Sequence, residues 1–317
     1  SGASFGDKMS PVSDTTNLAA MVADTDLYSH IKSMLYTTVP TYIISLIAFT
    51  LVGLYYSGQT LSAQELLTLS QHLEIEFAIS PLTLLPLIVL LALSLKRTAA
   101  EVSMLASVVT AVVLAIATQD RTFTEVLNSL YTGYVADTGL EQLDTLLSRG
   151  GITSMMSTMS LALIALSLGG ILDRAGFVRV LLSGVLKRIK RSASLIATTI
   201  GTGVVANMSM GEGYLSIIFG GQIFKDSFEE DRLEKHMLSR CLEEGATLST
   251  SLIPWTTSGA FITGVLGMSP LEFAPWAFFN YINPLLSIGL AYMGFGIFRQ
   301  QGFETPRGTP LSSLKNE

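Results

Sequence analysis

Six runs of apolar residues, at 37–56, 78–95, 99–118, 152–172, 243–266 and 275–298, alternate with polar stretches along this chain. A bilayer core of about 30 Å is crossed by roughly 20 such residues in a helix, so each run predicts a membrane span. A seventh stretch, 193–224, is apolar but interrupted by Asn207, Ser209, Gly211, Glu212 and Gly213. It is too short for two full crossings and too broken for one clean crossing. The expected class is an all-α polytopic membrane protein with broken helices.

Loop charge gives the direction of each span, because Lys and Arg favour the cytoplasmic side. The 57–77 and 267–274 loops hold no Lys or Arg, and 119–151 has two arginines against five acids, so these read as outside. Lys96–Arg97, the six basic residues of 173–191, the four in 225–240 and the three in the tail from Arg299 read as inside. Every loop is satisfied if 37–56, 99–118 and 243–266 run outward while 78–95, 152–172 and 275–298 run inward. Both flanks of 193–224 are then cytoplasmic, and the segment is expected to be a re-entrant hairpin with its tip near Asn207–Gly213. Irregular backbone at that depth must be buried in protein or line an aqueous cavity. One continuous span is the alternative; it would put 225–240 outside and reverse the last two spans.

The connecting pieces are simpler. Residues 174–191 read as a basic amphipathic helix on the cytoplasmic face. Residues 225–240 read as a solvated helix with Asp231 and Lys235 one turn apart, and 21–36 as a loop. The 299–317 tail, rich in Gly, Pro and Ser, is expected to be disordered.

The opening residues, SGASFGDKMSPVSDTTN, return in weakened form as EGATLSTSLIPWTTSGA, 243 positions later. Gly2–Ala3 falls on Gly245–Ala246, Ser4 on Thr247, Met9 on Leu252, Pro11 on Pro254 and Ser13 on Thr256. By loop parity the first copy runs inward and the second outward. A proline-broken, hydroxyl-rich segment repeated in inverted orientation points to the binding site of a secondary transporter. The expected organisation follows. Residues 1–118 are the remainder of a first inverted repeat with linking helices, and 119–151 is an extracytoplasmic loop. Residues 152–298 are a second repeat containing the hairpin 193–224, and 299–317 is a tail. The chain opens inside the first motif without an initiator Met. Repeat symmetry therefore expects on the order of ninety further residues ahead of Ser1.

Composition narrows the class. Hydrophobic residues make up 49% of the chain and charged residues 14%, with a mean hydropathy of +0.50. A soluble domain carries about 25% charge, so this is an integral membrane protein with the lipid bilayer as its surroundings. A net charge of −6 argues against nucleic acid. One cysteine, Cys241, and three scattered histidines exclude a disulfide framework and a histidine metal cluster. No GxxxxGK[ST] or HExxH string occurs, which argues against ATP-driven transport and intramembrane zinc proteolysis. No cofactor is expected.

Four charges lie within predicted membrane segments: Asp7, Lys8, Asp14 and Glu212. Each costs about 2.5–3.5 kcal/mol at mid-bilayer, and such residues face a cavity or a partner. Asp7 and Asp14 are two helical turns apart, and Pro11 between them frees a carbonyl. Carboxylates and neutral oxygens together suit a hard cation such as Na⁺. Asp7, Asp14 and Glu212 are thus the candidate ion-binding or proton-carrying groups, with Lys8 as charge partner. A carboxylate that holds either H⁺ or Na⁺ gives exchange by competition, and Glu212 at the hairpin tip is the leading proton carrier. Supporting oxygens are expected from Ser10, Ser13, Thr15, Thr16, Asn17, Asn207, Ser209, Thr256, Thr257 and Ser258, with a Na⁺ site formed by Asp14, Thr15 and Asn17. Structural roles stand beside these. Asp7–Lys8 closes a helix end as a local ion pair, Asp14 and Glu212 cap helices, and Glu243 and Glu244 sit at the start of 243–266, favoured by its dipole.

Three strings, SGASFGDKMSPVSDTTNLA, MGEGYLSIIFGGQIFKDSF and SRCLEEGATLSTSLIPWTTSGAF, resemble the signature of the NhaC-type sodium/proton antiporter family. The likeness extends over nearly the whole chain and is weakest at 57–150. It implies a prokaryotic cytoplasmic-membrane protein of the ion-transporter superfamily, with re-entrant hairpins facing unwound helices in two inverted repeats. It further implies an elevator motion, exchange of Na⁺ for H⁺ and a possible homodimer. Some relatives resemble malate/lactate exchangers, so exchange of small carboxylates coupled to Na⁺ and H⁺ is the alternative. A hairpin in the segment expected ahead of Ser1 would face Asp14 and Thr15.

Overall fold

Pro11 and Pro254 each separate two helices, because proline lacks the backbone donor a helix needs and crowds the preceding turn. The computed structural model describes residues 1–11, 13–56, 63–96, 98–119, 121–148, 150–176, 189 and 191–300. Helix α1 (Gly2–Met9) stops just before Pro11, and α2 (Asp14–Val22) starts after it. Near the other end, α12 (Lys235–Leu242) passes into a π-helical turn at Glu243–Thr247 and a last α turn at Leu248–Thr250. The chain then runs irregularly past Pro254 until α13 (Thr257–Leu266). The helices resume at Asp14 and Thr257, the same 243-residue offset as the sequence repeat. The residues before them, Ser13 and Thr256, are both extended, with φ −62°, ψ 134° and φ −79°, ψ 158°.

The two broken helices run antiparallel. Thr15 meets Glu243 and Lys8 meets Glu244, while Asp24 beyond α2 meets Lys235 at the start of α12. At the opposite end Ser1 reaches Trp276. Contacts at both ends thus follow an antiparallel order.

Between them lies a helical hairpin. Helix α10 (Ser192–Met210) ends at Gly211, whose φ of 71° is the left-handed conformation that glycine adopts without a side-chain penalty. Glu212 is extended and caps α11 (Gly213–Glu230), which returns along α10. Leu195, Ile196, Ile200, Phe224, Met237 and Cys241 form the core shared by α10, α11 and α12. A β-carbon on Gly203 would come within 2.7 Å of the Ala246 backbone nitrogen, so the hairpin and the broken helix touch almost backbone to backbone, as small residues permit in membrane bundles.

These elements belong to one compact unit, Ser1–Gly53 with Thr158–Glu317; Leu54–Ser157 forms a second. The larger unit also holds most of α3 (Leu27–Tyr56) and of α9 (Met156–Arg174). The smaller contains α4 (Ala63–Glu76), α5 (Leu85–Leu95, entered by a 3₁₀ turn at Pro81–Leu84), α6 (Ala100–Thr118), α7 (Phe123–Thr132) and α8 (Glu141–Leu147). Helices α5 and α6 pack together, and Glu76 joins Arg121 and Tyr134. The final apolar helix is α14 (Phe278–Tyr292). Among the described residues Leu27–Tyr56, Glu101–Thr118 and Ser192–Met210 are long and apolar enough to cross a membrane; the pair Ser70–Glu76 and Pro81–Leu95, bent by 84°, is apolar enough only when its two helices are taken together. The protein is an all-α, multi-pass membrane protein.

Two segments differ from expectation. The 21–36 loop shrinks to a short turn because α3 begins at Leu27, with His30, Ser33 and Met34 buried. The 225–240 stretch is not one solvated helix. It breaks after Glu230, Asp231 pairs with Arg299 rather than Lys235, and Met237 to Leu242 are buried. The reason is packing, since Met237, Leu238, Cys241 and Leu242 complete the core. The connecting segments 57–77 and 119–151 contain the helices Ala63–Glu76, Phe123–Thr132 and Glu141–Leu147, the second opened by a Thr122–Glu125 capping box. The amphipathic helix expected within 174–191 and the tail beyond Gln300 lie outside the described residues.

Candidate functional site

Both helix breaks and the hairpin tip open onto one cavity of about 690 Å³. Asp7, Asp14, Thr15, Glu212, Tyr214, Thr247, Thr250, Ser251, Thr257 and Ser258 supply its polar wall; Ala3, Leu166, Phe261 and Ile262 supply apolar wall. No Lys or Arg lines it among the described residues.

Glu212 serves two elements at once. Its Oε2 accepts from the Tyr214 and Leu215 backbone nitrogens at 2.6 and 3.2 Å, capping α11. Its Oε1 accepts from Thr257 Oγ1 at 3.2 Å, and the Thr257 nitrogen donates to the Gly211 carbonyl at 2.9 Å. The hairpin tip is thereby fastened to the second break. The Tyr214 hydroxyl donates to Asp14 Oδ2, fastening the same tip to the first break, while Asp14 Oδ1 accepts from the Thr15 nitrogen at 2.8 Å.

Asp7 lies deeper. Ser13 Oγ donates to Asp7 Oδ1 at 2.8 Å and lies 3.1 Å from Thr15 Oγ1, which donates to Glu243 Oε1 at 3.3 Å. Behind this line sits an enclosed ionic cluster. Lys8 is fully buried; its Nζ donates to Asn283 Oδ1 at 3.1 Å and lies 3.6 Å from Glu244 Oε1. Glu244 also accepts from Thr37 and lies 4.0 Å from Arg240 Nε. Asn283 donates onward to Thr41 at 3.1 Å. Charges so far from water persist only when paired and hydrogen-bonded.

The remaining expected residues mostly satisfy backbone. Thr16 donates to the carbonyls of Asp7 and Lys8, and Asn17 to those of Pro11 and Ser13 at 2.9 and 2.6 Å, covering oxygens freed by the break. The Ser10 carbonyl accepts from the Ser13 nitrogen. Asn207 donates to the Ala246 carbonyl and Ser249 Oγ at 2.6 and 2.9 Å, locking the hairpin to the π turn. Thr256 caps α13 through the Gly259 nitrogen at 3.1 Å. Ser258 reaches the cavity; Ser209, on α10, does not line it. Asp14, Thr15 and Asn17 are not gathered around one point, since their side chains turn to Tyr214, Glu243 and the Pro11 carbonyl respectively. Among the described residues no three His, Cys, Asp or Glu are placed to hold a metal ion together.

Sequence reasoning missed Glu243 and Glu244 as interior groups. They do not start a helix. They lie beyond α12 in the π turn, fully buried, where the helix dipole gives no N-terminal stabilisation. Arg240, Thr37, Tyr214, Asn280 and Asn283 were missed too. A readable signal existed, because Arg240 and Glu244 are one turn apart and Asn280 and Asn283 interrupt an otherwise apolar helix. Local π-helical turns also mark functional sites often.

Comparison with known proteins gives relatives over nearly the whole chain. The NhaC Na(+)/H(+) antiporter of Alkalihalophilus pseudofirmus is 36% identical over 312 residues, covering 97% of this chain and 66% of that protein. The NhaC of Bacillus subtilis is 34% identical over 293 residues, covering 92% and 65%. The malate-2H(+)/Na(+)-lactate antiporter of Bacillus subtilis is 31% identical over 295 residues, covering 93% and 63%. The chain spans about two thirds of the length of these curated relatives. No solved structure matches it significantly. The family model for Na+/H+ antiporters matches residues 2–295, and with two broken helices meeting a hairpin at an acidic cavity, the chain belongs to the Na+/H+ antiporter family.

Proposed function

We propose that this protein exchanges Na⁺ for H⁺ across the cytoplasmic membrane of a prokaryote. The observation that carries the reading is the cavity, where Asp7, Asp14 and Glu212 open together at two helix breaks and a hairpin tip, with no basic side chain among its described lining. Asp14 and Glu212, linked through Tyr214, attract the incoming cation; Asp7, bonded to Ser13, carries the proton. Carboxylates that hold one cation or the other couple the two flows by competition. In this reading the hairpin is re-entrant, and its tip moves with the two breaks to which it is bonded.

Exchange of small carboxylates is favoured by one feature: the N-termini of α2, α11 and α13 all reach the cavity, and helix N-termini attract anions. Those ends are already occupied by Asp14, Glu212 and Thr256. Lys8, the cation that would hold a substrate carboxylate, is committed to Glu244 and Asn283 instead. The Na⁺/H⁺ reading therefore stands first.

The test uses the full-length protein in proteoliposomes with a pH dye inside. An inward Na⁺ gradient should drive proton efflux without any organic acid, and Asp14→Asn should abolish it. Proton movement only when malate or lactate is present would overturn the reading in favour of carboxylate exchange.

A further inference from the structure

We propose that Asp7 and Glu243 hold one proton between them, passed along the hydroxyls of Ser13 and Thr15. The four side chains form an unbroken line of oxygens with links of 2.8, 3.1 and 3.3 Å. Three links need three hydrogens, and the two hydroxyls bring only two. With both carboxyls ionised, Ser13 donates to Asp7 and Thr15 to Glu243, which leaves the middle link with lone pairs facing each other. One added proton completes the line in either direction. On Glu243, the order is Glu243 to Thr15 to Ser13 to Asp7; on Asp7, it reverses.

Transfer conserves every bond. The Asp7 O–H breaks as Ser13 accepts its hydrogen; the Ser13 hydrogen passes to Thr15, and the Thr15 hydrogen passes to Glu243. One proton moves, and the two hydroxyls reset by rotating.

The surroundings of Glu243 favour its holding that proton. It is fully buried, and its Oε2 makes no hydrogen bond of good geometry. The nearby cations, Lys8 and Arg240, make their ion pairs with Glu244, and no Lys or Arg lies within ion-pair distance of Glu243 among the described residues. Asp7 and Lys8 of α1 act on it through space, and Thr247, one turn on, is a further hydroxyl beside it. Of the other elements packed against the π turn, α10 and α14 carry no charged residue, α2 brings Asp14, and α11 is capped by Glu212. An unpaired carboxylate in such a place is strongly disfavoured unless protonated. Asp7 lines the cavity and Glu243 does not. The line therefore joins the cavity wall to an enclosed proton store. Its use in exchange rests on the Na⁺/H⁺ reading: a proton held on the line leaves through Asp7 when a cation takes the cavity, and is replaced through Asp7 when the cation leaves.

The test is infrared difference spectroscopy of the full-length protein in lipid membranes, at neutral pH without Na⁺, following the carboxylic-acid C=O stretch. The wild type should show one buried acid band that Glu243→Gln removes. Thr15→Val should shift the band by removing its hydrogen-bond partner, while Thr15→Ser, which keeps the hydroxyl, should restore the wild-type position and shows that the fold survives substitution there. Absence of the band, or its persistence in Glu243→Gln, overturns the proposal. A band lost in Glu243→Gln but unmoved by Thr15→Val places the proton on Glu243 alone and also overturns it. Na⁺-driven proton flux recorded on the same vesicles keeps the two claims apart. A wild type with the expected bands and no flux would sink the exchange reading while supporting the shared proton.

Discussion

The Tyr214 hydroxyl donates to Asp14, joining the tip of the α10–α11 hairpin to the first helix break across 200 residues of sequence. A hydrogen bond to a charged group contributes about 1.5–3 kcal/mol. Tyr214→Phe removes this tether and keeps the ring. Local opening of the tip should rise at least about tenfold, read as faster hydrogen exchange over residues 209–215 with α12 unchanged. Equal exchange in both proteins would show that the tether holds nothing.

Glu244 faces both Lys8 and Arg240, so the three positions should respond unequally. Glu244→Gln strands two buried cations and should cost the most, about 3–5 kcal/mol or more. Lys8→Met leaves Glu244 its Arg240 partner and should cost less. Lys8→Met combined with Glu244→Gln should be milder than Glu244→Gln alone. Thermal unfolding in detergent gives the order, and simple additivity would refute the coupling.

Glu212 caps α11 as well as facing the cavity, and the two roles separate by substitution. Glu212→Gln retains a carbonyl oxygen for the Tyr214 and Leu215 nitrogens, so its melting temperature should stay close to wild type while proton flux is lost. Glu212→Ala should lose the cap as well, about 0.5–2 kcal/mol. Flux surviving in Glu212→Gln would reduce this residue to a cap.

At the turn between α2 and α3, the hydrogen bond and charge of Lys235 hold the exposed Asp24 carboxyl below its ordinary value. A lowered carboxyl favours the folded state above its unfolded value, and that contribution disappears as pH falls through the folded one. The difference in melting temperature between wild type and Asp24→Asn should be present at about pH 7, shrink by about pH 3, and diminish with salt. A difference independent of pH would assign it to something other than charge.

Much of this arrangement was readable in one dimension because it depends on residues with narrow backbone options. Pro11 and Pro254 mark the breaks, Gly211 marks the hairpin turn, and the repeat offset predicts where both helices resume. Polar residues inside helices were harder to read. His30 and Ser33 made the first turns of α3 look like loop, although both are buried and His30 meets Ser239 at 2.7 Å. The charges of 225–240 hid an inward face of Met237, Leu238, Cys241 and Leu242. At the cavity, spacing identified segments that meet there but not the directions of side chains. Asn17 turned to the carbonyls that Pro11 had freed. Glu243 and Glu244 could not be placed without knowing that the helix starts at Lys235 and widens into a π turn.

The antiparallel pairing of the broken helices also constrains how the molecule is made. Lys8 finds Asn283 only 275 residues later, and Asp14, Thr15 and Thr37 likewise find partners in the second half of the chain. During synthesis Lys8 and Asp14 therefore emerge well before these partners, and contacts this distant form late. Docking of α1 and α2 onto these partners is thus a late event of assembly.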